Sequence, residues 1–457
     1  MANADSPMLP IPPTTVTEKR SNRSAMMIVF LVVFIDLLGF GIVLPLLPRI
    51  AEKYVMRVIR TDGLATPAEP IKGTPELARA NPLAGLIVGL LMSSFSLMQF
   101  LFAPVWGRVS DRIGRRPILL IGLLGSVVFY SLFGYATSLA PEDHAAVAML
   151  LFFGARIGAG ISGATISTAM AVIADCTPPD KRKHGMALIG AAFGIGFTFG
   201  PLIGFGCLWL NNYLPLIGYT AAGMSLVAWL LGLGLLRETR IFGTETSVRR
   251  QLFDWSATRH VLTDPAIGPV ILTFFIASLG FGAFEVTLSL FLKDVFQLSE
   301  DSSFLFFAYV GFVLMLTQGV LYRPLASRVS EVTFMAMGIF FMAIGVALMG
   351  SISYSVSVNY DPGTLQIALF VALTAAVIGF AFLTPSAQAL VSRRTSADRQ
   401  GEVLGVNQSA SAMARILGPV FGVTLYKSTE THLLPYIAGA VLLLLMLPML
   451  PRIRRGA

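Results

Sequence analysis

The chain has 457 residues, of which 55% are hydrophobic and 13% are charged, and its mean hydropathy is +0.75. An ordinary soluble domain carries about 25% charged residues, so this composition excludes a typical soluble enzyme or binding domain. The formal net charge is +8. The distribution of that charge decides whether it indicates a nucleic-acid surface or the topology of a membrane protein.

Long apolar runs occur along the whole sequence. A hydrocarbon core about 30 Å thick needs roughly 20 apolar residues per helix. Runs of that length, separated by charged or turn residues, predict twelve transmembrane helices. They lie at 25–47, 84–106, 117–138, 146–172, 185–210, 215–236, 265–292, 303–322, 332–351, 365–391, 403–426 and 434–451.

The basic residues are distributed unevenly between the two predicted sides of the membrane. When the N-terminus is placed in the cytoplasm, most of the 33 Lys and Arg fall on that side, and the short outer loops contain almost none. This is the positive-inside pattern. It predicts that both termini are cytoplasmic and that the chain does not bind nucleic acid. The four His lack metal-ligand spacing and no phosphate-binding loop occurs, so we expect no enzyme, no metal and no cofactor.

The second half of the sequence repeats the first. The stretch "ADCTPPDKRKHG" (174–185) leads into "FGPLIG" (199–204), and "SRRTSADRQG" (392–401) leads into "LGPVFG" (417–422). The pairs Pro201/Pro419 and Gly204/Gly422 share one offset, which indicates duplication of six spans in the same orientation. The predicted units are a cytoplasmic tail at 1–24, a six-helix bundle at 25–236, a cytoplasmic linker at 237–264, a second bundle at 265–451 and a tail at 452–457.

Segment 49–83, inside the first bundle, does not fit this pattern of apolar spans. It is mixed in charge, too polar to span the membrane and longer than a minimal connection. We predict either a short amphipathic helix on the outer surface or a disordered loop. No chemistry is assigned to it.

Four stretches carry a resemblance to a known family. They are "GRVSDRIGRRP" (107–117), "DLLGFGIVLPLLP" (36–48), "RIGAGISGA" (156–164) and "GIGFTFGPLIG" (194–204). The first resembles the hallmark loop G-x-x-x-D-R-x-G-R-R of the major facilitator superfamily. The last resembles the antiporter motif of drug:proton exporters, particularly the tetracycline-exporter-like group. The resemblance implies an all-α integral membrane protein with twelve transmembrane helices in two parallel six-helix bundles.

The loop between spans two and three is predicted to anchor topology and to act as a gate. Gly107 and Gly114 permit a tight turn. By resemblance, Asp111 and Arg112 form a breakable contact near the inner end of span eleven and the acidic end of span four. In the second-half copy "RPLASRVS" (323–330), Ser327 replaces the acid, so the gate is expected to be asymmetric. The predicted gate residues are Gly107, Arg108, Asp111, Arg112, Gly114, Arg115, Arg116 and Asp175.

Span five carries a stripe of small residues. Gly196, Gly200 and Gly204 recur every four residues, and such stripes let helix backbones approach closely in lipid. Pro201 is expected to bend the helix. The stripe serves plain helix packing or, as the antiporter resemblance implies, a pivot between the halves that limits proton leak.

Four charged residues lie inside predicted spans: Asp36, Arg156, Glu285 and Arg415. A charge at the centre of a membrane helix costs roughly 2.5 to 3.5 kcal/mol, so each needs a cavity or a partner. We predict Asp36 as the proton carrier and Glu285, in the outer part of span seven, as the second candidate. The alternative for Glu285 is a position close to the outer water without a role in coupling. Arg156 belongs to the span-four motif, whose arginine the resemblance implicates in proton coupling. A structural ion pair is the alternative. Arg415 serves either cavity lining or structure.

The substrate cavity is expected at mid-membrane between the halves. Its predicted residues are Asp36, Gln99, Arg156, Phe281, Glu285, Gln318, Gln388, Asn407 and Arg415. The predicted function is proton-coupled antiport that exports a small amphipathic organic molecule by alternating access. The protein is expected to be monomeric and to lie in the lipid bilayer of a bacterial inner membrane, with protons and the small molecule as partners. A gradient-driven importer or uniporter and a non-transporting receptor are the alternatives.

Overall fold

A computed structural model describes residues 16–61, 81–176, 182–239, 255–358, 360–395 and 400–455. Helices and short connections make up these ranges, and no strand occurs within them. The helices of the first half are α1 (Val16–Val43), α2 (Leu47–Thr61), α3 (Pro82–Ile113), α4 (Arg115–Ser138), α5 (Pro141–Gly163), α6 (Ile166–Cys176), α7 (Arg182–Asn211) and α8 (Pro215–Leu235). After α9 (Trp255–Thr263), the second half contains α10 (Gly268–Asp294), α11 (Glu300–Leu316), α12 (Arg323–Leu325), α13 (Glu331–Ser357), α14 (Gln366–Arg393), α15 (Gln400–Tyr426), α16 (Leu434–Leu444) and α17 (Leu450–Arg455).

The helices agree with most of the predicted spans. In the described part of the chain, nine helices are long and apolar enough to cross a membrane, and the bent pair α1 and α2 raises the number to ten. The predicted spans five and eleven coincide with α7 and α15, in which the structure describes the backbone throughout but not every side chain. The chain is therefore an all-helical membrane protein, and the count of twelve spans stays a prediction.

Several helix boundaries differ from the predicted ones. Span four is divided into α5 and α6 at Ala164 and Thr165. Span eight ends in a π-helical turn, Thr317–Tyr322. Helix α3 continues through Ile113, seven residues beyond the predicted end at 106. Hydropathy ends a span at its first charges, whereas a helix continues into the headgroup region because its own backbone hydrogen bonds remain satisfied.

Helices within each half pack through small residues. In the first half, α4 packs against α5 and α8, and Gly134 faces Gly218 so closely that a methyl group at Gly218 would lie 2.5 Å from the Gly134 nitrogen. In the second half, α13 packs against α14 and α16, and Gly345 meets the backbone of Ala376. Close approach of this kind replaces the hydrophobic effect, which does not drive helices together in lipid.

Two seams join the halves: α3 packs against α15, and α7 packs against α11. Gly85 and Gly89 of α3 meet the backbone of Val423 and Val420 of α15. These contacts lie at the end of the bundle that contains α2, here named the α2 end. The opposite end contains Gly114 and is named the motif end. Because the close backbone contacts of the α3–α15 seam lie toward the α2 end, the described halves are closed together there.

Segment 49–83 is where the sequence prediction was least complete. Its first part is α2, which bends by 48° from α1 and has Arg49, Glu52 and Tyr54 buried. An amphipathic helix was one of the two predicted possibilities, but a position on the outer surface was wrong for these residues. Partners in the second half satisfy the charges of Arg49 and Glu52, whereas the Tyr54 hydroxyl donates to the Leu139 carbonyl oxygen of the first half. Residues 62–80 lie outside the described part.

Candidate functional site: buried charges at mid-membrane and the arginine motif

Arg156 lies between two aromatic rings in the middle of the first half. Its guanidinium carbon is 4.6 Å from the ring centre of Phe95 and 5.9 Å from that of Phe40. Nη2 donates a hydrogen bond of 3.2 Å to the carbonyl oxygen of Met92. Gly160 makes this geometry possible, because a methyl group there would lie 2.5 Å from the Phe95 carbonyl oxygen. The arginine is held by cation–π contacts and one backbone carbonyl.

Glu285 lies in the second half, one turn after Phe281 on α10. Phe281 stacks on Phe380 of α14 with ring centres 3.9 Å apart. Glu285 Oε1 is buried and has no hydrogen-bond partner within the described residues. Its charged neighbour is Arg415 of α15, with which it interacts electrostatically. The two helices come together where Gly418 meets the backbone of α10.

The other predicted cavity residues are dispersed. Asn407 of α15 is buried, and its Oδ1 has no hydrogen-bond partner in the described ranges. Gln99 Nε2 donates to the Gly163 carbonyl oxygen over 3.4 Å, whereas Gln318 and Gln388 are exposed. Arg415 is exposed beside its acid, which fits a wall residue of a water-accessible space. The side chain of Asp36 lies outside the described set, and the backbone there is helical.

These residues form two groups. Phe40, Phe95 and Arg156 belong to the first half, and Phe281, Glu285 and Arg415 to the second. The hydrogen bonds, ring contacts and charge interactions described for each group stay within its own half. A molecule bound at mid-membrane between the halves would meet a cation with aromatic walls on one side and an acid–base pair on the other.

The turn of the arginine motif is shorter than predicted. Gly107 lies inside α3, so its role as a turn residue was wrong. The turn consists of Gly114, which has φ of +108°. A side chain there would also collide with the carboxylate of Glu238. Gly114 is therefore required for both its backbone conformation and the space that it leaves.

Most motif side chains bind within the first half. Glu238, at the exit of α8, accepts hydrogen bonds from the backbone nitrogens of Arg115 (2.9 Å) and Arg116 (3.1 Å). A carboxylate at this position caps the positive end of α4. Three further contacts also stay in the first half: Arg115 to Asp111 (2.6 Å), Arg116 Nη2 to the Leu233 oxygen (2.8 Å) and Arg108 Nε to the Pro104 oxygen (3.2 Å).

Two consequences follow for the predicted gate. Asp111 is paired with Arg115 one turn away, Arg112 is exposed, and the side chain of Asp175 lies outside the described set. The predicted contact toward span eleven is thus not among the described contacts of Asp111. Sequence reasoning missed Glu238, since nothing in "LRETR" (236–240) marks a residue as the cap of a helix that starts 123 positions earlier.

We expect Asp111→Asn to slow transport severalfold without lowering stability. The exposed pair with Arg115 is worth only about 0.3 to 0.5 kcal/mol, whereas a gate contact formed in the other conformation would be lost. The transport rate and thermal unfolding of the variant, each compared with those of Glu300→Gln, which breaks the exposed ion pair with Lys53 at the α2 end, test this. A normal transport rate for Asp111→Asn would contradict the gate.

The glycine stripe of α7 contacts both halves. Gly196 and Gly200 face α1 of the same half, where a methyl group would lie 2.9 Å from Leu37 Cβ and Gly41 Cα respectively. Gly204 instead meets the ring of Phe304 in the second half. Pro201 lies inside the helix and beside Gly41. The first two positions serve helix packing within one half, and Gly204 alone among the three touches the other half.

Comparisons with known proteins agree with these features. The sequence profile of the Major Facilitator Superfamily matches residues 29–360 and 320–456. The class E tetracycline resistance protein of Escherichia coli is 30% identical over 412 residues, which cover 90% of this chain and 89% of that protein. Major facilitator superfamily domain-containing protein 10 of Mus musculus is 28% identical over 459 residues, covering 96% and 94% respectively.

A solved structure shares the fold. The crystal structure of the human organic anion transporter MFSD10 superposes with a TM-score of 0.63 at 24% identity, covering 94% of this chain and 99% of that one. The family resemblance predicted from the motifs is confirmed by the profile and by the tetracycline resistance relatives. The chain belongs to the major facilitator superfamily of membrane transporters.

Proposed function

We propose that this transporter is a proton-coupled antiporter that exports a small amphipathic organic molecule. The observation that carries proton coupling is Glu285, a mid-membrane carboxyl group with a buried oxygen that lacks a donor in the described residues and with Arg415 as its charged neighbour. Such a group can alternate between contact with the guanidinium and protonation. That alternation is what coupling to a proton gradient requires.

The relatives and the charge pattern support the proposed direction of transport and the proposed location. Four of the curated relatives are tetracycline resistance proteins. The positive-inside pattern supports a motif end in the cytoplasm, so the chain as described is closed toward the outside. We propose a monomer in a bacterial inner membrane, with both termini in the cytoplasm.

Transport by purified protein in liposomes tests this proposal. With a pH-sensitive dye inside, tetracycline is added first and a panel of amphipathic organic cations and anions next. Proton movement opposite to the substrate supports antiport, and movement in the same direction supports import. Substrate flux without proton movement would contradict the proposal and indicate a uniporter, and ligand binding without any flux would indicate a receptor.

An organic anion is the second candidate substrate. Arg156 and Arg415 both lie at mid-membrane, and a related protein is named an organic anion transporter. A mid-membrane guanidinium attracts an anion more strongly than it attracts a neutral molecule. For this candidate, the guanidinium groups of Arg156 and Arg415 would bind the anionic group of the substrate.

We expect Arg156→Met to weaken substrate binding about tenfold, or about 1.4 kcal/mol. Methionine keeps the length of the side chain and removes both the charge and the cation–π contact with Phe95. Equilibrium binding of a cationic and an anionic compound to the variant, with Arg156→Lys as the charge-preserving control, separates the candidates. A loss confined to anions favours the second candidate, and unchanged binding of both would contradict a cavity position for Arg156.

A further inference from the structure

A buried cluster of charges joins the two halves at the α2 end. Its members are Glu52 of α2, Lys293 and Asp294 at the end of α10, and Lys427, which directly follows α15. The side chains of Glu52 and Lys427 are each 3% exposed, and that of Asp294 is 4% exposed. Burying a charge is costly unless the charge is paired. Four charges that lie between the two halves and are shielded from water therefore need partners close by.

Glu52 is the centre of the cluster. Its Oε2 accepts a hydrogen bond of 2.6 Å from Lys293 Nζ, and its Oε1 accepts one from Lys427 Nζ. Lys427 also lies 2.9 Å from Asp294 Oδ2. A carboxylate from the first half therefore bridges two ammonium groups of the second half. Two negative and two positive charges leave the cluster neutral.

Neighbouring contacts extend along the same side of α2. Arg49, one turn before Glu52, donates to the carbonyl oxygens of Ser299 (2.8 Å) and Leu298 (2.6 Å) and to Ser303 Oγ (2.6 Å). Ser289 Oγ of α10 donates to the carbonyl oxygen of Pro45. The start of α2 is thus fixed to α10 and α11 by directed polar contacts.

His432 borders the cluster without adding to its charge. Its Nδ1 lies 2.9 Å from the Tyr426 carbonyl oxygen, and its Nε2 lies 3.9 Å from Asp294 Oδ2. Burial lowers the pKa of His432, so the ring is neutral at pH 7. The charge balance therefore depends on the two carboxylates and the two lysines.

We propose that Glu52, Lys293, Asp294 and Lys427 form a charge latch that holds the α2 end closed and must separate in each transport cycle. A carboxylate held between two lysines of the opposite half cannot keep both contacts when the halves move apart at this end. Removal of one partner leaves a buried charge uncompensated, which is far more destabilising than removal of a balanced pair. The latch rests on alternating access alone and not on the substrate, the direction of transport or proton coupling.

The rate at which a buried cysteine reacts with N-ethylmaleimide measures how often the α2 end opens. Ser289→Cys is the reporter, because Ser289 is fully buried beside Pro45. The native Cys176 and Cys207, which are buried and form no disulfide, are replaced by serine in every protein. Labelling is measured in liposomes without substrate or proton gradient, so its outcome is independent of the proposed antiport.

Glu52→Gln and Lys427→Met are each expected to raise the labelling rate about tenfold, which corresponds to about 1.4 kcal/mol. The double variant Glu52→Gln/Lys427→Met removes the ion pairs between the halves but leaves the charges of Lys293 and Asp294 balanced. It should therefore label faster than the parent and more slowly than either single variant, because no buried charge is left uncompensated. Glu300→Gln is the matched control. It breaks the exposed ion pair with Lys53, and exposed pairs contribute little.

Three results would overturn the proposal. Parent-like labelling of both single variants would show that the charges do not hold this end closed. Labelling of the double variant at the parent rate would show that the ion pairs between the halves do not hold this end closed. A Glu300→Gln effect equal to that of Glu52→Gln would remove the distinction between buried and exposed pairs. If one single variant does not fold, the other compared with the double variant decides the question.

Discussion

Replacement of Glu285 with glutamine is expected to abolish uphill transport while downhill exchange of substrate continues. One proton that moves down about 100 mV releases roughly 2.3 kcal/mol, enough for a concentration ratio of about fifty. Without a protonatable group that ratio should fall to about one. Glutamine keeps the shape and hydrogen-bonding capacity of the side chain, so the cavity and its contact with α15 should persist.

Two assays on one preparation separate coupling from binding. Accumulation under an imposed pH gradient should be lost in Glu285→Gln, whereas exchange of labelled for unlabelled substrate should remain within about twofold of the parent. Glu300→Gln, an acid at the start of α11 that pairs with Lys53, is the control and should accumulate substrate normally. Loss of exchange together with accumulation would assign Glu285 to structure or binding rather than to coupling.

Asp36→Asn is the second change for which we expect complete loss of proton-driven export. Asp36 precedes Phe40 by four residues in α1, so the two positions share a face of the helix, and Phe40 borders the Arg156 guanidinium. The variant should reach the membrane in normal amounts and bind substrate. Export under a proton gradient, in cells and in liposomes, measures the effect.

A comparison of the two acids then identifies the carrier. If Asp36→Asn exports normally and Glu285→Gln does not, the proton moves through the second half. If the reverse holds, it moves through the first half. Asp264→Asn, in the turn between α9 and α10, is a suitable control because its carboxylate accepts a hydrogen bond of 2.8 Å from the Ala266 backbone nitrogen, away from both acids.

The membrane helices were predictable because the bilayer imposes one length and one composition on every span. Even so, α3 runs past its predicted end to Ile113, since hydropathy measures the preference for lipid rather than the continuity of backbone hydrogen bonds. Gly107 was misjudged for the same reason. The residue types of the motif at 107–117 matched those of a known family, but the sequence did not show that α3 ends at Ile113.

The mid-membrane charges were predictable as a set and not as pairs. Their cost in lipid singled out Arg156, Glu285 and Arg415. Only the structure shows that Arg156 uses aromatic rings whereas Glu285 faces Arg415. Sequence spacing carries no information about neighbours on different helices, and Arg415 lies 130 positions after Glu285.

The residues of α2 were the hardest to predict. Arg49 and Glu52 look like solvated charges in a polar loop, because hydropathy assigns each residue its preference without a partner. Their partners lie more than 240 positions later in the sequence. Glu52 and Lys293, for example, are 241 positions apart. Glu238 shows the same limit, since the cap of α4 comes from the far end of α8.

The buried charge cluster at the α2 end also bears on how fast the transporter can cycle. Attraction within the cluster is offset by the hydration that four ions give up when the end closes, so a set of strong contacts can have a small net free energy. When the end opens, water hydrates all four groups at once, and this hydration replaces the stabilisation that the ion pairs provided. Hydration of the cluster, rather than rupture of individual ion pairs, would then set the barrier to opening, and a rise in temperature or a change of solvent that alters ion hydration should shift the balance between the two conformations.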